Sequence, residues 1–424
     1  MSWEYIRLGD VCAKIGSGAT PKGGSTVYID EGTSFIRSQN IYNLEFSHEG
    51  LAHITEDAAK KLNGVAVQKD DVLINITGDS VARTCMVPDA VLPARVNQHV
   101  AIVRPDSNRL NPRFLNYYLA SPYMQSLMLG LAVGKGASRN AMTKDMLANF
   151  DILCPPIEIQ ESIVGILSTY DALIENNQKQ IKLLEEAARR LYKEWFVNFR
   201  FPGYEDTPIV DGVPEGWEKV PVGNLISYEI GGGWGEETPT GKCIREAYVI
   251  RGTDLYGIAH GDLLSIPFRY HVESNLSSRK LKDGDIVFEV SGGSRTEGVA
   301  RCLLITSSML NVWRKDVMCA SFCKLIRPQF GFSQYLHDCI KHLRATGKTE
   351  EYDKRSASSI VNYRWKDFLS QALVLRPSEE ILDHYNGVAK EIYSKAINCS
   401  LQIESAKKAR DRLLPKLMSG EIEV

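Results

Sequence analysis

The amino-acid sequence predicts an α+β fold, in which a tandem repeat of two α/β globular domains is joined by two long antiparallel helices that form a coiled coil. Two observations predict this fold. A heptad pattern of apolar residues occurs twice in the chain, and motifs of the first half return in the same order in the second half. A chain of 424 residues is also too long for one hydrophobic core, which favours more than one domain.

A long helix is predicted over residues 159–199, because its apolar residues are spaced alternately by four and three positions. This spacing is typical of a coiled-coil seam, whereas an ordinary surface helix has a broader apolar stripe. The seam consists of Ile163, Leu167, Tyr170, Ile174, Asn177, Ile181, Leu184, Ala188, Leu191 and Trp195. It returns 222 positions later as Tyr385, Ala389, Ile392, Ala396, Cys399, Ile403, Ala406, Arg410, Leu413 and Leu417.

The chain outside these helices is duplicated as well. Residues 71–78 align with residues 285–292, and residues 81–83 align with residues 299–301. The openings of the two halves, around Trp3 and Trp217, also correspond. Similarity at a fixed offset is the signature of a repeated structural unit. We therefore predict one unit of about 200 residues that is present twice.

Each unit begins with short strands separated by turns. Apolar runs at residues 72–76 and 286–290 are preceded by Asp and followed closely by Gly, and residues 100–103 form another such run. A helix is predicted over residues 112–128, with proline in its first turn. Near the C-terminus, Pro415 is expected to end or kink the second long helix.

The order of these segments predicts how the long helices pair. The first helix is followed by a Pro/Gly-containing linker at residues 201–214, then by the second globular domain and the second helix. A compact domain brings its two ends close together, so the second helix is expected to run back along the first. This interpretation is an antiparallel pair with one globular domain at each end.

Composition indicates a soluble protein of a reducing compartment. The chain is 44% hydrophobic and 24% charged, and no apolar run approaches the ~18 to 20 residues of a membrane span. Its N-terminal residues do not resemble a secretory signal. Nine cysteines, an odd number scattered over a large chain, do not suggest a disulfide framework. We therefore expect a cytoplasmic protein that makes no contact with a membrane.

The distribution of charge favours nucleic-acid binding more than the total does, since the net charge is only −2. Residues 81–144 contain eight basic residues and two acidic ones, and residues 295–366 contain thirteen basic and six acidic residues. Each half of the chain thus has its own basic section. A basic section is also compatible with a solvated surface, but two of them in a duplicated chain suggest two contacts with DNA.

Candidate DNA-binding residues lie in these sections and in the loops of each repeat. Arg, Gln and Asn side chains can form paired hydrogen bonds with base edges, and Lys and Arg in Gly-rich loops can bind phosphates. A polar turn residue is the alternative for each. The candidates are Lys22, Arg37, Gln39, Asn40, Arg83, Asn97, Gln98, His99, Lys135, Arg139, Arg251, Thr253, Arg295, Arg301, Arg314, Lys315, Lys354 and Arg355.

Common catalytic motifs are missing from the sequence. No Lys has Asp or Glu two positions before it, as one half of a common nuclease metal site requires. The Gly- and Lys-containing loops at residues 16–24 and 134–140 are not phosphate-binding Gly-Lys-Ser/Thr loops, and no complete Gly-x-x-x-x-Gly-Lys-Ser/Thr pattern occurs in the sequence. The chain also lacks a His-Glu-x-x-His zinc motif and the Asn-Pro-Pro-aromatic run of amino-group methylation. We therefore predict no catalytic residues, no cofactor and no metal ion in this chain.

Five segments in this order resemble the specificity (S) subunits of type I restriction-modification systems. They cover the chain from end to end: Trp3-Glu4, the Gly-Ser-Gly-Ala-Thr-Pro loop at residues 16–21, residues 195–203 after the first long helix, Pro-Glu-Gly-Trp-Glu at residues 214–218, and the closing residues 413–422.

The resemblance implies a domain order and a function. The expected domains are target recognition domain 1 at residues 1–155, the first spacer helix at 156–200, a linker at 201–214, target recognition domain 2 at 215–377, and the second spacer helix with the C-terminal tail at 378–424. In this family the domains read the two parts of a split sequence in double-stranded DNA, and the helices set the spacing. Two modification subunits methylate adenine with S-adenosylmethionine, and restriction subunits use ATP to translocate and cut DNA.

Other interpretations remain open at this stage. The chain resembles, less specifically, a specificity subunit of another multi-subunit restriction or methylation system. A stand-alone DNA-binding protein, a nuclease with an unfamiliar motif and a coiled-coil adaptor are further alternatives. Trp195, Phe196 and Phe199 are large for a free surface, so we expect them to pack either at the junction with the second globular domain or against the modification subunits.

Overall fold

A computed structural model describes residues 3–133, 141–292, 298–355 and 360–424. The chain forms two units. The first unit contains residues 1–172 and 406–424, and the second unit contains residues 173–405. Two helices of 40 residues, the first long helix Ile157–Phe196 and the second long helix Glu379–Met418, contribute to both units. Within the described residues, no helix is both long enough and apolar enough to cross a membrane.

The first unit combines three small sheets and a hairpin with short helices. A four-stranded antiparallel sheet has the order Thr84–Met86, Val72–Asn75, Val100–Pro105, Cys12–Ser17. A five-stranded mixed sheet has the order Tyr28–Ile29, Ala52–Ile54, Thr33–Ile36, Ala94–Val96, Ala66–Val67. Glu4–Arg7 pairs with Asp151–Cys154, and Ile41–Tyr42 pairs with Glu45–Phe46. The short helices are Glu56–Lys61, Pro112–Ala120, Pro122–Ala132 and Lys144–Ala148.

The second unit has the same plan. Its four-stranded antiparallel sheet has the order Ile226–Gly231, Cys323–Pro328, Ile286–Glu289, Cys302–Leu304. Two three-stranded sheets have the orders Phe268–His271, Arg245–Ile250, Val317–Cys319 and Ser291–Gly292, Val361–Tyr363, Asp353–Arg355. Glu218–Pro221 pairs with Leu373–Arg376, and Ile209–Val210 pairs with Val213–Pro214. The short helices are Leu255–Ala259, Glu273–Arg279, Ser307–Trp313, Ser333–Ala345 and Trp365–Gln371.

Matching connections in the two sheets confirm the predicted repeat. When the four strands of each sheet are numbered along the chain, both four-stranded sheets have the spatial order first, fourth, second, third. Both units also contain one parallel pair, Ala94–Val96 with Thr33–Ile36 and Val317–Cys319 with Arg245–Ile250. The chain is therefore a duplicated α+β fold, as the sequence predicted.

A buried ion pair is repeated along with the sheet. Arg104 donates two hydrogen bonds to Asp71, of 2.7 and 2.8 Å, and Arg327 donates two to Asp285, of 2.8 and 2.7 Å. Both carboxylates are buried, so removal of either arginine would leave an uncompensated charge, at a cost of about 3–5 kcal/mol. This pairing explains why an acidic residue precedes the central apolar strand in both repeats.

Gly18 and Gly232 occupy equivalent sites where the backbone of a neighbouring strand passes very close. A Cβ atom on Gly18 would lie 2.1 Å from the carbonyl oxygen of Val96, and one on Gly232 would lie 2.2 Å from that of Ala320. Only glycine fits such an approach without moving the backbone. The small residue after the second strand of each repeat is therefore a packing requirement, in addition to any contact with phosphate.

The two long helices contact each other in an antiparallel direction. Within the second unit, Cys399 donates a hydrogen bond to Gln180 at 3.5 Å, and the rings of Trp195 and Tyr385 lie 5.8 Å apart. Residue numbers thus rise along one helix as they fall along the other. The predicted pairing is confirmed, and the seam positions of both helices are buried or half-buried.

One seam position carries a charge that the structure neutralises. Arg410 is 8% exposed, and its Nη1 donates a hydrogen bond of 2.7 Å to Asp171 within the first unit. Burial opposes the charge, but the carboxylates of Asp171 and Asp411 hold the pKa of Arg410 above its usual value. The seam therefore tolerates an arginine at the position where the first helix has Ala188.

The structure differs from the sequence prediction at two prolines, one that divides a helix and one that does not end a helix. The helix expected over residues 112–128 is two helices, because Pro122 lacks an amide proton and Ser121 caps the second helix through Met124. In contrast, Pro415 does not end the second long helix, which continues to Met418. The last turn is buried against the first unit through Leu414 and Leu417, and this packing offsets the lost hydrogen bond.

Aromatic residues at the end of the first long helix pack into the core of the second unit. Trp195 is 8% exposed and Phe196 is 3% exposed. The ring of Phe196 contacts those of Tyr335 and Tyr385 at centroid distances of 4.7 and 4.8 Å. Phe199 contacts Trp217 edge to face. Of the two expectations for these residues, packing at the junction with the second globular domain is the one observed.

Candidate nucleic-acid interface

Several loops of the first unit meet at one edge of its four-stranded sheet. In this antiparallel sheet, Asn75 pairs with Val100, Ser17 pairs with Ala101, and Ile74 pairs with Thr84. The loops that follow residues 17 and 75 therefore lie on the same side as the loops that precede residues 84 and 100. We call this side the first loop edge.

Hydrogen bonds join the loops of the first loop edge to one another. The amide of Ile76 donates to the carbonyl of His99 at 2.9 Å, and the side chains of Thr77 and His99 lie 2.6 Å apart. The Asn75 side chain donates to the carbonyl of Ser38 at 2.9 Å. Because these hydrogen bonds connect one loop to the next, the edge is a continuous surface on which side chains keep fixed positions.

Arg37, Gln39 and Asn40 lie in one turn of this edge but differ in exposure. Arg37 and Gln39 both donate to the carbonyl oxygen of Gly50, at 2.6 and 3.3 Å, and Gln39 is exposed. Asn40 is fully buried and accepts a hydrogen bond from the Arg37 amide at 3.0 Å. Its amide group donates to Ser47 and to the next turn, so Asn40 holds the loop, while Gln39 faces solvent.

Arg83 lies at the same edge and stacks on an aromatic ring. Its guanidinium carbon is 4.7 Å from the centre of the Tyr42 ring, and Tyr42 is 45% exposed. A guanidinium group held over an aromatic face keeps its charge and its hydrogen-bond donors. This pair therefore presents a positioned cation to solvent.

The remaining described candidates of the first unit lie on other loops of the same edge. Asn97 is buried and accepts a hydrogen bond from the His99 amide at 3.1 Å, whereas Gln98 is exposed and contacts the His99 ring at 3.2 Å. Lys22 is exposed in the loop that follows residue 17. Lys135 and Arg139 lie outside the described residues, as does Arg295 of the second unit.

The second unit has an equivalent loop edge. Gly231 pairs with Lys324, Glu289 pairs with Cys323, and Phe288 pairs with Cys302, so the intervening loops again lie on one side of the sheet. We call this side the second loop edge. The strand Val361–Tyr363 extends it by pairing with Ser291–Gly292.

Arg301 is held at the second loop edge by a buried carboxylate. Its Nε and Nη2 donate to the two oxygens of Glu289 at 2.8 and 2.6 Å. Glu289 is 1% exposed, and a Cβ atom on Gly252 would lie 2.5 Å from one of its oxygens. The second unit therefore requires glycine at position 252, where the first unit has Ser38.

Arg251 is also paired with an acidic side chain. Its Nε and Nη2 donate to Asp254 at distances of 2.7 to 3.1 Å, and this interaction raises the pKa of Arg251. Asp254 also accepts a hydrogen bond from the Arg251 amide at 2.8 Å, the contact that Asn40 makes in the first unit. Thr253, between them, is exposed.

The other candidates of the second unit are separated into two groups. Lys354 and Arg355 are exposed on the strand that pairs with Val361–Tyr363, next to the second loop edge, and Arg355 lies 3.7 Å from Asp353. Arg314 and Lys315 precede the strand Val317–Cys319, at the end of its sheet opposite to Arg251. Lys315 forms an ion pair with Glu246 there. The structure does not bring Arg314 and Lys315 together with Arg251 and Arg301.

Three exposed or charged side chains of these edges were absent from the sequence-based candidates. Tyr42 supports Arg83, Glu289 binds Arg301, and Phe322 is 56% exposed at the position equivalent to His99. The internal alignment already paired Asn75 with Glu289, which was the available signal. No described group of three or more His, Cys, Asp or Glu side chains is placed to hold a metal ion.

Comparisons with known proteins show similarity to one family. Residues 1–186 match the family model of the type I restriction modification DNA specificity domain. The type I restriction enzyme MjaIX specificity subunit of Methanocaldococcus jannaschii is 25% identical over all of this chain and 94% of its own length. The HindI specificity subunit of Haemophilus influenzae is 21% identical, over 99% of both chains.

A solved structure shows the same fold. The crystal structure of the type I restriction-modification S subunit from M. genitalium has a TM-score of 0.57 and covers 98% of this chain and 96% of its own, at 12% sequence identity. At this identity the likeness concerns the fold alone. The family model and the two relatives confirm the resemblance that the sequence motifs suggested, and the solved structure confirms the fold.

Proposed function

We propose, from its confirmed resemblance to the type I restriction-modification specificity subunits, that this chain is the subunit that selects the DNA sequence for such a complex. In this proposal the first and second loop edges each read one part of a split target in double-stranded DNA. The chain carries no catalytic step itself. Methylation belongs to two modification subunits, and ATP-dependent translocation and cleavage belong to restriction subunits.

The observation that carries this proposal is the repetition of one loop edge with different side chains. Each edge is built on a four-stranded sheet of the same strand order, but Asn75 of the first unit is replaced by Glu289 in the second, and His99 by Phe322. A duplicated support with altered contact residues is suited to reading two different base sequences, because base identity is read by side chains placed against base edges. The target is therefore proposed to be asymmetric.

The long helices are proposed to set the spacing between the two parts of the target. Each has 40 residues, which corresponds to about 60 Å of helix. Their antiparallel seam is buried along both helices, so neither helix can change length or slide without exposing apolar residues. A spacer of fixed length would fix the number of base pairs between the parts that are read.

Mapping of methylated adenines tests the proposal. The chain is produced together with the modification subunits of its system in a strain that lacks other adenine methyltransferases, and the modified positions are read by long-read sequencing. We expect one split, asymmetric motif that disappears without this chain. Methylation that persists without it, or a continuous motif, would contradict the proposal.

A heptad insertion tests the spacing separately. One extra heptad in each long helix, placed at facing positions so that the seam stays in register, adds about 10 Å of helix, equivalent to roughly 3 base pairs. We expect the same bases on either side of a correspondingly longer spacer. The matched control places the same seven residues between Asp211 and Gly212, in an exposed turn, and should leave the motif unchanged.

Purified chain alone distinguishes the proposal from a stand-alone enzyme. We expect it to bind duplex DNA without cutting or methylating it when Mg²⁺, ATP and S-adenosylmethionine are supplied. Turnover by the isolated chain would favour the alternative of a nuclease or methyltransferase.

A further inference from the structure

Equivalent arginines are held in different ways at the two loop edges. Asn75 of the first unit occupies the backbone position that Glu289 occupies in the second unit, and Arg83 likewise corresponds to Arg301. In both units the amide of the first residue donates to the carbonyl of the arginine at 2.9 Å. The backbone geometry is therefore the same, and the difference lies in the side chain that faces the arginine.

In the second unit the charge of the arginine is compensated. Glu289 binds Arg301 through two parallel hydrogen bonds, and the side chain of Glu289 is 2% exposed. If Arg301 left this pair, a buried carboxylate would lose its counterion, which is strongly unfavourable. Arg301 is thus held in place, and its charge at long range is cancelled by Glu289.

In the first unit the charge is not compensated. Asn75 is neutral, and the guanidinium group of Arg83 lies over the Tyr42 ring. Among the described residues, no carboxylate forms an ion pair with Arg83. Its full positive charge is therefore available to an anion in solution.

A second pair of equivalent residues shows the same contrast. Arg37 donates to the carbonyl of Gly50 and lies over the Tyr28 ring, and its neighbour in the turn is the neutral Asn40. At the corresponding turn of the second unit, Arg251 forms an ion pair of 2.7 Å with Asp254. At both positions an asparagine of the first unit is replaced by a carboxylate that binds the arginine.

We propose that the two units contribute unequally to the ionic part of DNA binding. At these two pairs of equivalent positions, the first unit attracts the phosphate backbone through Arg37 and Arg83. The second unit presents Arg251 and Arg301 as fixed, internally neutralised groups that add little to it. This inference rests on the proposed function, because it assumes that both loop edges contact DNA.

The salt dependence of binding measures this difference directly. Each phosphate neutralised by a protein cation releases counterions and adds about 0.9 to the slope of log affinity against log salt concentration. An arginine that already has a carboxylate partner gains less from a phosphate and adds less to that slope. Removal of the partner should restore its contribution.

The experiment uses the full chain and a fluorescent duplex of random sequence several helical turns long, titrated at a series of KCl concentrations. We expect Arg83→Gln to make the slope shallower by about 0.9 and Glu289→Gln to make it steeper. The double variant Glu289→Gln/Arg301→Gln should return to the parent slope. Circular dichroism and thermal unfolding identify any variant that is not folded.

The matched control is Glu273→Gln, which removes the same charge. Glu273 pairs with Arg245, at the end of the strand Arg245–Ile250 that is opposite to Arg251. We expect the parent slope for this control, so that a general effect of net charge is excluded. A folded Glu289→Gln variant with the parent slope, or an Arg83→Gln variant with the parent slope, would overturn the inference. A parent chain that does not bind duplex DNA would instead refute the proposed function.

Discussion

The hydroxyl of Tyr393, on the second long helix, donates a hydrogen bond of 2.5 Å to the buried carboxylate of Asp338, on the helix Ser333–Ala345. Tyr385, two turns earlier on the long helix, donates to the other oxygen at 2.6 Å. Burial opposes the ionisation of Asp338, but hydrogen bonds from His337 and the two tyrosines hold its pKa below the usual value. A charged carboxylate thus joins this helix to the long helix within the second unit.

The first unit makes the same connection with the partners exchanged. Tyr117, at the position equivalent to Asp338, donates to Asp171, which occupies the position equivalent to Tyr393. Asp171 also receives a hydrogen bond from Arg410. Both repeats keep this hydrogen bond between tyrosine and aspartate, although the two residue types have exchanged positions. The connection between the short helix and the long helix therefore matters more than which helix carries the charge.

Tyr393→Phe is expected to destabilise the second unit by about 1–2 kcal/mol, since it removes one hydrogen bond to a buried charge. Urea unfolding of the full chain, followed by far-ultraviolet circular dichroism, measures this loss. Tyr256→Phe is the control, because Tyr256 is 70% exposed and should leave the unfolding free energy unchanged. Equal stability of the two variants would show that the hydrogen bond does not stabilise the unit.

The sequence predicted the parts of the fold that depend on periodicity and duplication. The seam from Ile163 to Trp195, its repetition, and the central strands around residues 72–76 follow from local patterns that buried positions impose. The break at Ser121 was missed because the apolar pattern continues through Pro122. The exchanged pair of Tyr117 and Asp171 is not visible in an alignment, since each residue is matched there with a different residue type.

The candidate interface was predictable to a smaller extent. Of the candidates selected by residue type, the structure places Gln39, Arg83 and Gln98 at one edge of a sheet, whereas the side chains of Asn40 and Asn97 are buried and hold their loops. Side-chain exposure depends on tertiary packing that a turn sequence does not specify. Whether these residues contact bases stays a prediction.

Trp195→Ala and Phe196→Ala are expected to destabilise the second unit, each by about 3–5 kcal/mol, because both rings are buried in its core. Thermal unfolding of the chain measures this effect without partner subunits. Any loss of subunit assembly should therefore accompany a lower melting temperature.

Leu183→Ala is the control for these core substitutions, because Leu183 lies on the same long helix and is 70% exposed. It should leave the melting temperature close to that of the parent chain. If Phe196→Ala weakened assembly measured by light scattering at an unchanged melting temperature, the ring would contact a partner directly, and its packing in the core would be secondary.

Gln39→Ala and Asn40→Ala are expected to act on different properties. Gln39 is exposed at the first loop edge, so its loss should change the preferred bases in a selection from random duplexes, with unfolding free energy within ~0.5 kcal/mol of the parent. Asn40 is buried and forms hydrogen bonds with the backbone on both sides of the turn. Its loss should therefore lower the free energy of unfolding by about 1–3 kcal/mol.

The two outcomes are separated by comparing base selection with stability. Asn40→Asp restores the acceptor for the Arg37 amide and copies Asp254 of the second unit, so it should recover part of the stability that Asn40→Ala loses. An unchanged base preference in Gln39→Ala would remove Gln39 from the set of base-contacting residues. Normal stability of Asn40→Ala would show that the loop does not depend on it.

The stability of the second unit is expected to depend on pH through His260 and Glu185. The two side chains lie 3.6 Å apart, and the interaction with the Glu185 carboxylate raises the pKa of His260 above its usual value, although burial and Lys341 oppose this. The same interaction lowers the pKa of Glu185 below 4.5. Because the folded chain binds the histidine proton more tightly than the unfolded chain, the contribution is complete below pH 6.5 and is lost as pH rises through the folded pKa. The glutamate contribution is lost as pH falls below 4.5, so the pair stabilises the unit most between these values.

The expected effect is a few tenths of a kcal/mol, since both side chains are partly exposed. Buried His271 and His337 have lowered pKa values and contribute with the opposite sign, so the pair must be measured as a difference between variants. Urea unfolding of the parent chain and of Glu185→Gln gives the free energy of unfolding at a series of pH values. The two curves of this free energy against pH should separate at about pH 5.5 to 6 and converge above about pH 8, which is roughly one to two units above the unperturbed histidine pKa. His260→Gln should follow Glu185→Gln over that range. Parallel curves for the parent and Glu185→Gln would show that His260 takes up its proton independently of Glu185.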